Sequence, residues 1–129
     1  MEHILLRGEI VHGKGAGHRF GMPTANLVPE AGTLLPPCGV YGALLRFDGE
    51  EHRAVTNVGT RPSDDTSSAV TVESWLPDYS GDLYGKRAEL ELCFFLREIR
   101  HFPGGLSEVA EQVRLDAEKM NRLMETGEP

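Results

Sequence analysis

The chain has 129 residues, of which 40% are hydrophobic and 26% charged, a composition typical of a globular domain rather than of a disordered or fibrous chain. Its formal net charge of −7 at pH 7 argues against nucleic-acid binding, because phosphate contacts need a basic surface. No apolar segment approaches the ~20 residues that span a bilayer, and two cysteines do not make a disulfide framework, so we expect one cytoplasmic domain over residues 1–129.

Alternating apolar and polar residues predict β-strands in five segments, at residues 7–12, 39–47, 52–58, 70–76 and 88–97. The dipeptide Asp48-Gly49 favours a tight hairpin between the second and third of these, since glycine accepts a positive φ without steric strain. The turn-rich segment 59–69 is predicted to be a loop. In the last strand the pattern predicts one apolar face and one charged face, formed respectively by Leu90, Leu92, Phe94, Leu96 and by Glu89, Glu91, Arg97.

A glycine-rich segment, "GKGAGHRFG" at residues 13–21, follows the first predicted strand. Known nucleotide motifs do not fit it; P-loop spacing, for example, ends on Gly15, where Ser or Thr should hold magnesium. Its backbone amides could still approach phosphates closely, because glycines leave room. Glycine count alone favours a mobile connection, so both interpretations stay open, although Arg7, Lys14 and Arg19 give this stretch local positive charge.

The "PTAN" cluster after the glycine segment offers candidate metal ligands. Pro23 fixes one backbone dihedral, and the alternate residues Thr24 and Asn26 can project two neutral oxygens in the same direction. Magnesium takes oxygen ligands and often shares them with substrate phosphates. The alternative is that these side chains only hydrogen-bond within their own turn.

Glu73, within "VTVESWL", is a candidate general base. The two-residue period of a strand puts it on one face with Thr71 and Trp75, opposite the apolar face. A carboxylate in this position is also typical of an outer strand face in contact with water, and the segment alone favours that simpler interpretation.

Residues 106–124 predict one amphipathic helix, whose apolar face comprises Leu106, Val109, Val113, Ala117, Met120 and Met124. Ser107 is the expected N-cap, and Glu108 and Glu111 suit the positive end of the helix dipole. Five or six antiparallel strands followed by one helix predict a small barrel or sandwich with the helix packed on it.

Zinc and thiol chemistry have little support in the sequence. The five histidines, at positions 3, 12, 18, 52 and 101, show no ligand spacing on a shared element, so no zinc site is predicted. Cys38 has no partner that the sequence can nominate, which leaves nucleophilic catalysis a weak alternative.

Seven segments, in order along the chain, resemble the riboflavin kinase family, the flavokinase domain that many bacteria carry behind an FAD synthetase domain. They are "GEIVHGKGAGHRFGMPTANL", "LPPCGVYGA", "AVTNVGTRP", "VES", "GDLYGK", "FFLREIRHF" and the final helix. The resemblance implies an all-β fold with one C-terminal helix, in which six antiparallel strands form a Greek-key barrel.

The resemblance also implies an activity and a site. The enzyme would transfer the γ-phosphate of ATP, its co-substrate, to the 5′-hydroxyl of riboflavin, giving FMN and ADP. Separately from the resemblance, we expect a monomer that binds neither nucleic acid nor membrane. Thr24 and Asn26 would hold Mg2+ and phosphate, and Glu73 would take the hydroxyl proton. The nucleotide phosphates would lie against the preceding loop, at Gly15, Gly17, His18, Gly21 and Pro23.

Two departures from the family pattern define an alternative function. His18 stands where the family usually has Arg or Lys, and Pro103 with two glycines occupies a loop where relatives usually carry an acidic and a β-branched residue. The alternative from these departures is a barrel that binds flavin or nucleotide without catalysis. A barrel used only for protein interaction is the third hypothesis.

Overall fold

A computed structural model describes residues 3–11, 24–62, 68–79, 81–100 and 103–127. Along these ranges the chain forms six strands and one helix. In chain order they are β1 (Ile4–Val11), β2 (Thr24–Pro29), β3 (Gly39–Phe47), β4 (Glu50–Pro62), β5 (Ser68–Trp75), β6 (Arg87–Arg97) and α1 (Leu106–Thr126).

The strands close into a barrel in the order β1-β2-β5-β4-β3-β6, and each of the six pairings is antiparallel. Strands β3, β4 and β5 are consecutive neighbours, and β6 returns to lie beside β3, which is the Greek-key arrangement. The predicted fold class is confirmed. β2, which alternation alone did not identify, supplies the sixth strand.

Two apolar clusters hold the fold together. One fills the barrel and comprises Leu6, Ile10, Ala25, Leu27, Tyr41, Ala43, Leu45, Phe47, Ala54, Val58, Val72, Leu76, Leu83, Ala88, Leu90 and Leu92. The second lies outside, where α1 packs on β3, β4 and β6, and includes Val40, Val55, Leu96, Ala117, Met120 and Leu123. The helix therefore covers the outer surface of β3, β4 and β6, and most of the outer faces of β2 and β5 lie beyond it.

The predicted hairpin between β3 and β4 is confirmed. Phe47 pairs with Glu50 across a two-residue turn, in which Asp48 has a φ of 51° and Gly49 a φ of 76°. Two successive positive φ values are the signature of the turn that matches the twist of a two-stranded ribbon.

The predicted single apolar face of β6 is wrong. Leu90 and Leu92 do point into the barrel, but Phe94 and Leu96 belong to the cluster beneath α1. The pairing with β3 shifts register between Gly42 and Ala43, where β6 carries one extra residue. Such a bulge inverts the side-chain alternation beyond it, so one strand serves both apolar clusters.

The boundaries of two other predicted segments also change. Residues 59–62 and 68–69, predicted as loop, extend β4 and β5. The helix begins one residue before the predicted cap: Gly105 is the N-cap, without a side-chain hydrogen bond, so Ser107 lies inside the helix. Glu108 instead accepts a hydrogen bond from the Gly104 N–H at 2.8 Å.

Across the described residues, no helix is both long and apolar enough to cross a membrane.

Candidate active site

Thr24 and Asn26 lie on the outer face of β2. They are half-buried and alternate with Ala25 and Leu27, which are buried in the barrel cluster. Because successive strand residues point to opposite faces, both polar side chains project outward in the same direction. The two side chains therefore lie on one surface, as the sequence predicted.

Glu73 lies on the outer face of β5. It is half-buried between Val72, which is 1% exposed, and Ser74, which is also 1% exposed. The prediction that Glu73 lies on the strand face opposite the apolar one, away from the barrel interior, is confirmed.

The strand register brings these residues together. Asn26 pairs with Glu73 across β2 and β5, and Glu73 pairs with Asn57 across β5 and β4. Directly opposed residues have Cβ atoms about 4.5–5.5 Å apart. Asn26, Glu73 and Asn57 thus form a row across three strands, which we name the polar row.

Sequence reasoning missed Asn57. Its flanking residues Thr56 and Val58 are both fully buried, whereas Asn57 is exposed on the outer face. Strand alternation in "HRAVTNV" would have assigned it to that face. Only the pairing of β4 with β5 reveals that it neighbours Glu73.

The next row along the barrel contains Thr24, Trp75 and Val55. Trp75 packs partly against the apolar cluster beneath α1. Thr24 is diagonal to Glu73, a relation in which the residues are about 7–8 Å apart. The site therefore grades from polar groups at the polar row to an apolar edge where the helix begins to cover the barrel.

A buried hydroxyl pair lies on the inner side of the same strands. The Thr56 and Ser74 oxygens are 2.8 Å apart, and the two residues are 0% and 1% exposed. Each hydroxyl satisfies the other in a region that otherwise holds apolar side chains. This contact joins β4 to β5 directly behind the pairing of Asn57 with Glu73.

The other predicted binding residues, Gly15, Gly17, His18, Gly21 and Pro23, lie outside the described residues. So do Lys14 and Arg19, which the sequence suggested as local positive charge. Arg7 is described, and its Nε donates to a carboxylate oxygen of Glu89 on β6 at 2.9 Å. It therefore belongs to an ion pair between β1 and β6, about four residues along β1 from the level of Asn26.

The oxygen groups around Asn26 suit a hard cation. A threonine hydroxyl, an asparagine amide oxygen and a neighbouring carboxylate are hard oxygen donors, and magnesium prefers such donors with some coordination left for water and phosphate. The chemistry of the donors therefore fits the predicted metal, with Thr24 and Asn26 as the residues that would hold it.

A second group of ligand-type side chains, His3, Glu91 and Cys93, lies on β6 and the residue before β1. Glu91 is bound by His3 and by the Arg46 guanidinium, at 2.7 Å for Arg46 Nη2, and these contacts lower its pKa. Burial raises the pKa of Cys93 to about 11, reinforced by the charge of Glu91. The thiol is therefore protonated at neutral pH, and the cluster is better described as an ion-pair group than as a metal site.

The chain matches the family described as "Flavokinase: Riboflavin kinase" over residues 1–124. It is 33% identical to the RNA-binding riboflavin kinase RibR of Bacillus subtilis over 112 residues, which are 87% of this chain and 47% of that protein. It is 34% identical to the bifunctional riboflavin kinase/FMN adenylyltransferase of Escherichia coli K12 over 114 residues, 86% of this chain and 35% of that protein. The chain thus spans less than half the length of these relatives.

The fold is also that of a solved structure. The crystal structure of riboflavin kinase from Trypanosoma brucei superposes with a TM-score of 0.69 at 18% identity, covering 98% of this chain and 82% of that one. At this identity the likeness establishes the shared barrel and helix.

Proposed function

The chain belongs to the riboflavin kinase family, and from that premise we propose that it transfers the γ-phosphate of ATP to the 5′-hydroxyl of riboflavin, giving FMN and ADP. One observation carries the proposal most directly. The candidate metal ligand Asn26 and the candidate base Glu73 come from distant parts of the sequence, yet they are cross-strand partners on one outer face.

In this reaction Glu73 accepts the proton of the 5′-hydroxyl as the hydroxyl oxygen bonds to the γ-phosphorus. The bond from that phosphorus to the bridging oxygen breaks, and ADP leaves with the electron pair. Phosphoryl transfer depends mainly on positioning and charge neutralisation, so one carboxylate that orients the hydroxyl is sufficient protein chemistry.

Thr24 and Asn26 would hold Mg2+, which supplies the positive charge that the transferring phosphate needs. This explains how a chain of net charge −7 can bind a polyphosphate. We further propose that Gly15, Gly17, His18, Gly21 and Pro23 contact the nucleotide phosphates. Glycines at such a position allow backbone amides to approach the phosphate oxygens.

We also propose that the protein acts as a monomer, which light scattering tests. We further propose that it does not bind nucleic acid, since its net charge is unfavourable for contacts with phosphate backbones. An RNA mobility-shift assay at low salt tests this second point. The barrel without catalysis is not favoured, because Glu73 is retained and lies beside Asn26.

The proposal is tested by incubating the purified protein with riboflavin, ATP and MgCl2 and separating FMN by chromatography. We expect FMN from the wild type. We expect Asn26→Ala to need about 10–100 times more magnesium for half-maximal rate, the effect of losing one polar contact to a charged group.

Asn121→Ala is the matched control. Asn121 lies on α1 and accepts a hydrogen bond from Arg53 at 2.9 Å, away from the polar row. Its magnesium dependence should equal that of the wild type. Absence of FMN from the wild type across several pH values and divalent metals would show that the proposed activity is wrong.

A further inference from the structure

Thr56 on β4 and Ser74 on β5 share a hydrogen bond inside the barrel, with their oxygens 2.8 Å apart. Their other cross-strand neighbours are Tyr41 on β3 and Ala25 on β2, and both belong to the apolar cluster that fills the barrel. The Tyr41 hydroxyl donates to the Pro37 carbonyl oxygen at 2.7 Å and is thus engaged elsewhere. Because buried polar groups need a hydrogen-bond partner, each hydroxyl of the pair depends on the other.

The hydroxyl pair lies directly behind the polar row. Thr56 precedes Asn57 on β4. Ser74 follows Glu73 on β5, and the register that opposes Thr56 to Ser74 also opposes Asn57 to Glu73. Neighbouring Cα atoms in a chain are 3.8 Å apart, so a displacement of β5 along β4 at this level moves Glu73 and the Ser74 hydroxyl together. A contact that fixes Ser74 therefore fixes Glu73 as well.

Apolar packing alone determines the position of β5 along β4 only weakly. A shift by two residues would keep every inward side chain of β5 inward. It would place Val72 or Leu76 opposite Thr56, and both of these residues already belong to the barrel cluster. The hydroxyls oppose such a shift, because two residues along a strand span about 6.6 Å. At that separation both buried hydroxyls would lose their partner, which is strongly unfavourable.

The hydrogen bond also opposes smaller displacements, which matter more for catalysis. A slide of β5 by about 2 Å along β4 would lengthen the contact from 2.8 Å to about 3.4 Å, beyond the normal range of O–H···O hydrogen bonds. Apolar contacts are non-directional and set no such limit. A misplacement of about 1 Å can lower the rate of an enzyme about 10²-fold, so displacements on this scale are large for a catalytic base.

We propose that Thr56 and Ser74 are positioning residues for Glu73. Their hydrogen bond fixes β5 against β4 and thereby holds the Glu73 carboxylate level with Asn26 and Asn57 in the polar row. The pair contributes geometry rather than stability, since an apolar pair of the same shape stabilises a core about as well. The inference rests on the proposed function, because Glu73 must meet the hydroxyl of the phosphate acceptor.

Urea unfolding tests the hydroxyl pair itself. Thr56→Val and Ser74→Ala each leave one buried hydroxyl without its partner, so we expect the midpoint of each single variant to fall by about 0.5–1 M. The double variant, Thr56→Val with Ser74→Ala, has no unpaired hydroxyl, and its midpoint should lie within about 0.3 M of wild type. The exchanged variant, Thr56→Ser with Ser74→Thr, is the matched control, because it keeps both hydroxyls and the total side-chain volume.

The rate of FMN formation tests the positioning role, at a temperature where circular dichroism shows each variant to be folded. We expect kcat to fall about tenfold in the double variant, with KM for riboflavin and KM for ATP within about twofold of wild type, because only the base is displaced. The exchanged variant should keep kcat within about threefold of wild type.

Two further comparisons make the result specific. In the Glu73→Gln background, removal of both hydroxyls should lower kcat by less than about twofold more, since the pair acts through Glu73. Leu45→Val controls for a general loosening of the barrel. Leu45 is 1% exposed and pairs with His52, which lies four residues, or about 13 Å, along β4 from Thr56. This variant should lose stability without a change in kcat.

An active wild type with an unchanged kcat in the folded double variant would overturn the positioning role. A full tenfold loss on top of Glu73→Gln would do so as well, because the pair would then act through another group. If the double variant does not fold, Ser74→Ala alone decides, with the same expected loss of kcat. A wild type that forms no FMN would instead remove the proposed function and, with it, this inference, while the urea midpoints would still report the hydrogen bond.

Discussion

Replacement of Glu73 by glutamine tests the assignment of the general base. The substitution keeps the size of the side chain and removes its charge, on an outer face where the residue is half-buried. A positioned general base contributes about 10²–10⁴-fold to rate, which corresponds to about 2.7–5.4 kcal/mol of activation free energy. We therefore expect kcat for FMN formation to fall by about 10²–10⁴-fold in Glu73→Gln.

The structure also limits the side effects of this change. Glu73 is not part of the barrel cluster, and its neighbours Val72 and Ser74 stay buried whichever group occupies position 73. We expect the free energy of unfolding, measured in urea, to change by less than about 1 kcal/mol. The loss of kcat should therefore be seen in a folded protein at saturating riboflavin, ATP and magnesium.

Glu89→Gln is the matched control for the loss of one outer-face carboxylate. Glu89 accepts hydrogen bonds from Arg7 at 2.9 Å and Arg46 at 3.1 Å on the β1 and β3 sides of β6, away from the polar row. Its kcat should stay within about twofold of wild type, because Glu89 lies away from the polar row. The variant should also stay folded, since partly exposed ion pairs contribute only about 0–1 kcal/mol to stability. A wild-type kcat in Glu73→Gln would refute the base assignment.

Three further outcomes follow from contacts elsewhere in the barrel. Gly8→Ala should destabilise the fold strongly or prevent folding, measured by urea unfolding, because its Cβ would fall 1.9 Å from a backbone carbonyl oxygen of β2; a wild-type midpoint would contradict the close approach of the strands. The hydrogen bond from Arg46 lowers the pKa of Glu91, so its contribution to stability is present above the unfolded pKa of about 4.3 and is lost as pH falls through the folded value. Glu91→Gln should accordingly flatten the pH dependence of unfolding in that acidic range, and an unchanged profile would exclude this contact as its source. Burial and a pKa raised to about 11 should leave Cys93 unreactive toward a thiol reagent at pH 7.5 while the exposed Cys38 reacts, so Cys38→Ser should abolish the fast phase; two fast thiols would show that Cys93 is accessible.

Local pattern was enough to predict much of the barrel. Alternation identified the facing of Glu73 correctly, because a strand with one buried face carries a strict two-residue period. Asp48-Gly49 predicted its turn because the backbone conformation there is restricted to few residue types. These features depend on neighbours in sequence, so the sequence contains them directly.

Features that depend on distant neighbours were not predictable in the same way. The bulge in β6 sends Phe94 to the opposite face from Leu92, and nothing in the alternating sequence marks the extra residue. Asp116 lies in a helix whose apolar face was read correctly at Ala117 and Met120, but its own burial depends on Arg97 from β6. An acidic residue in a helix is normally exposed, and only the partner makes its burial favourable.

The strand order is what unites the candidate site. In a simple up-and-down barrel β2 would be separated from β5 by β3 and β4, which is three strand spacings or about 14 Å. In the observed order β2 lies directly beside β5, and Asn26 opposes Glu73. A ligand for a phosphate-bound cation and a base for the attacking hydroxyl must act within a few ångströms of the same phosphorus. The crossing from β2 to β3 at residues 30–38 therefore has a chemical consequence, because it leaves the position beside β2 open for the strand that carries the carboxylate.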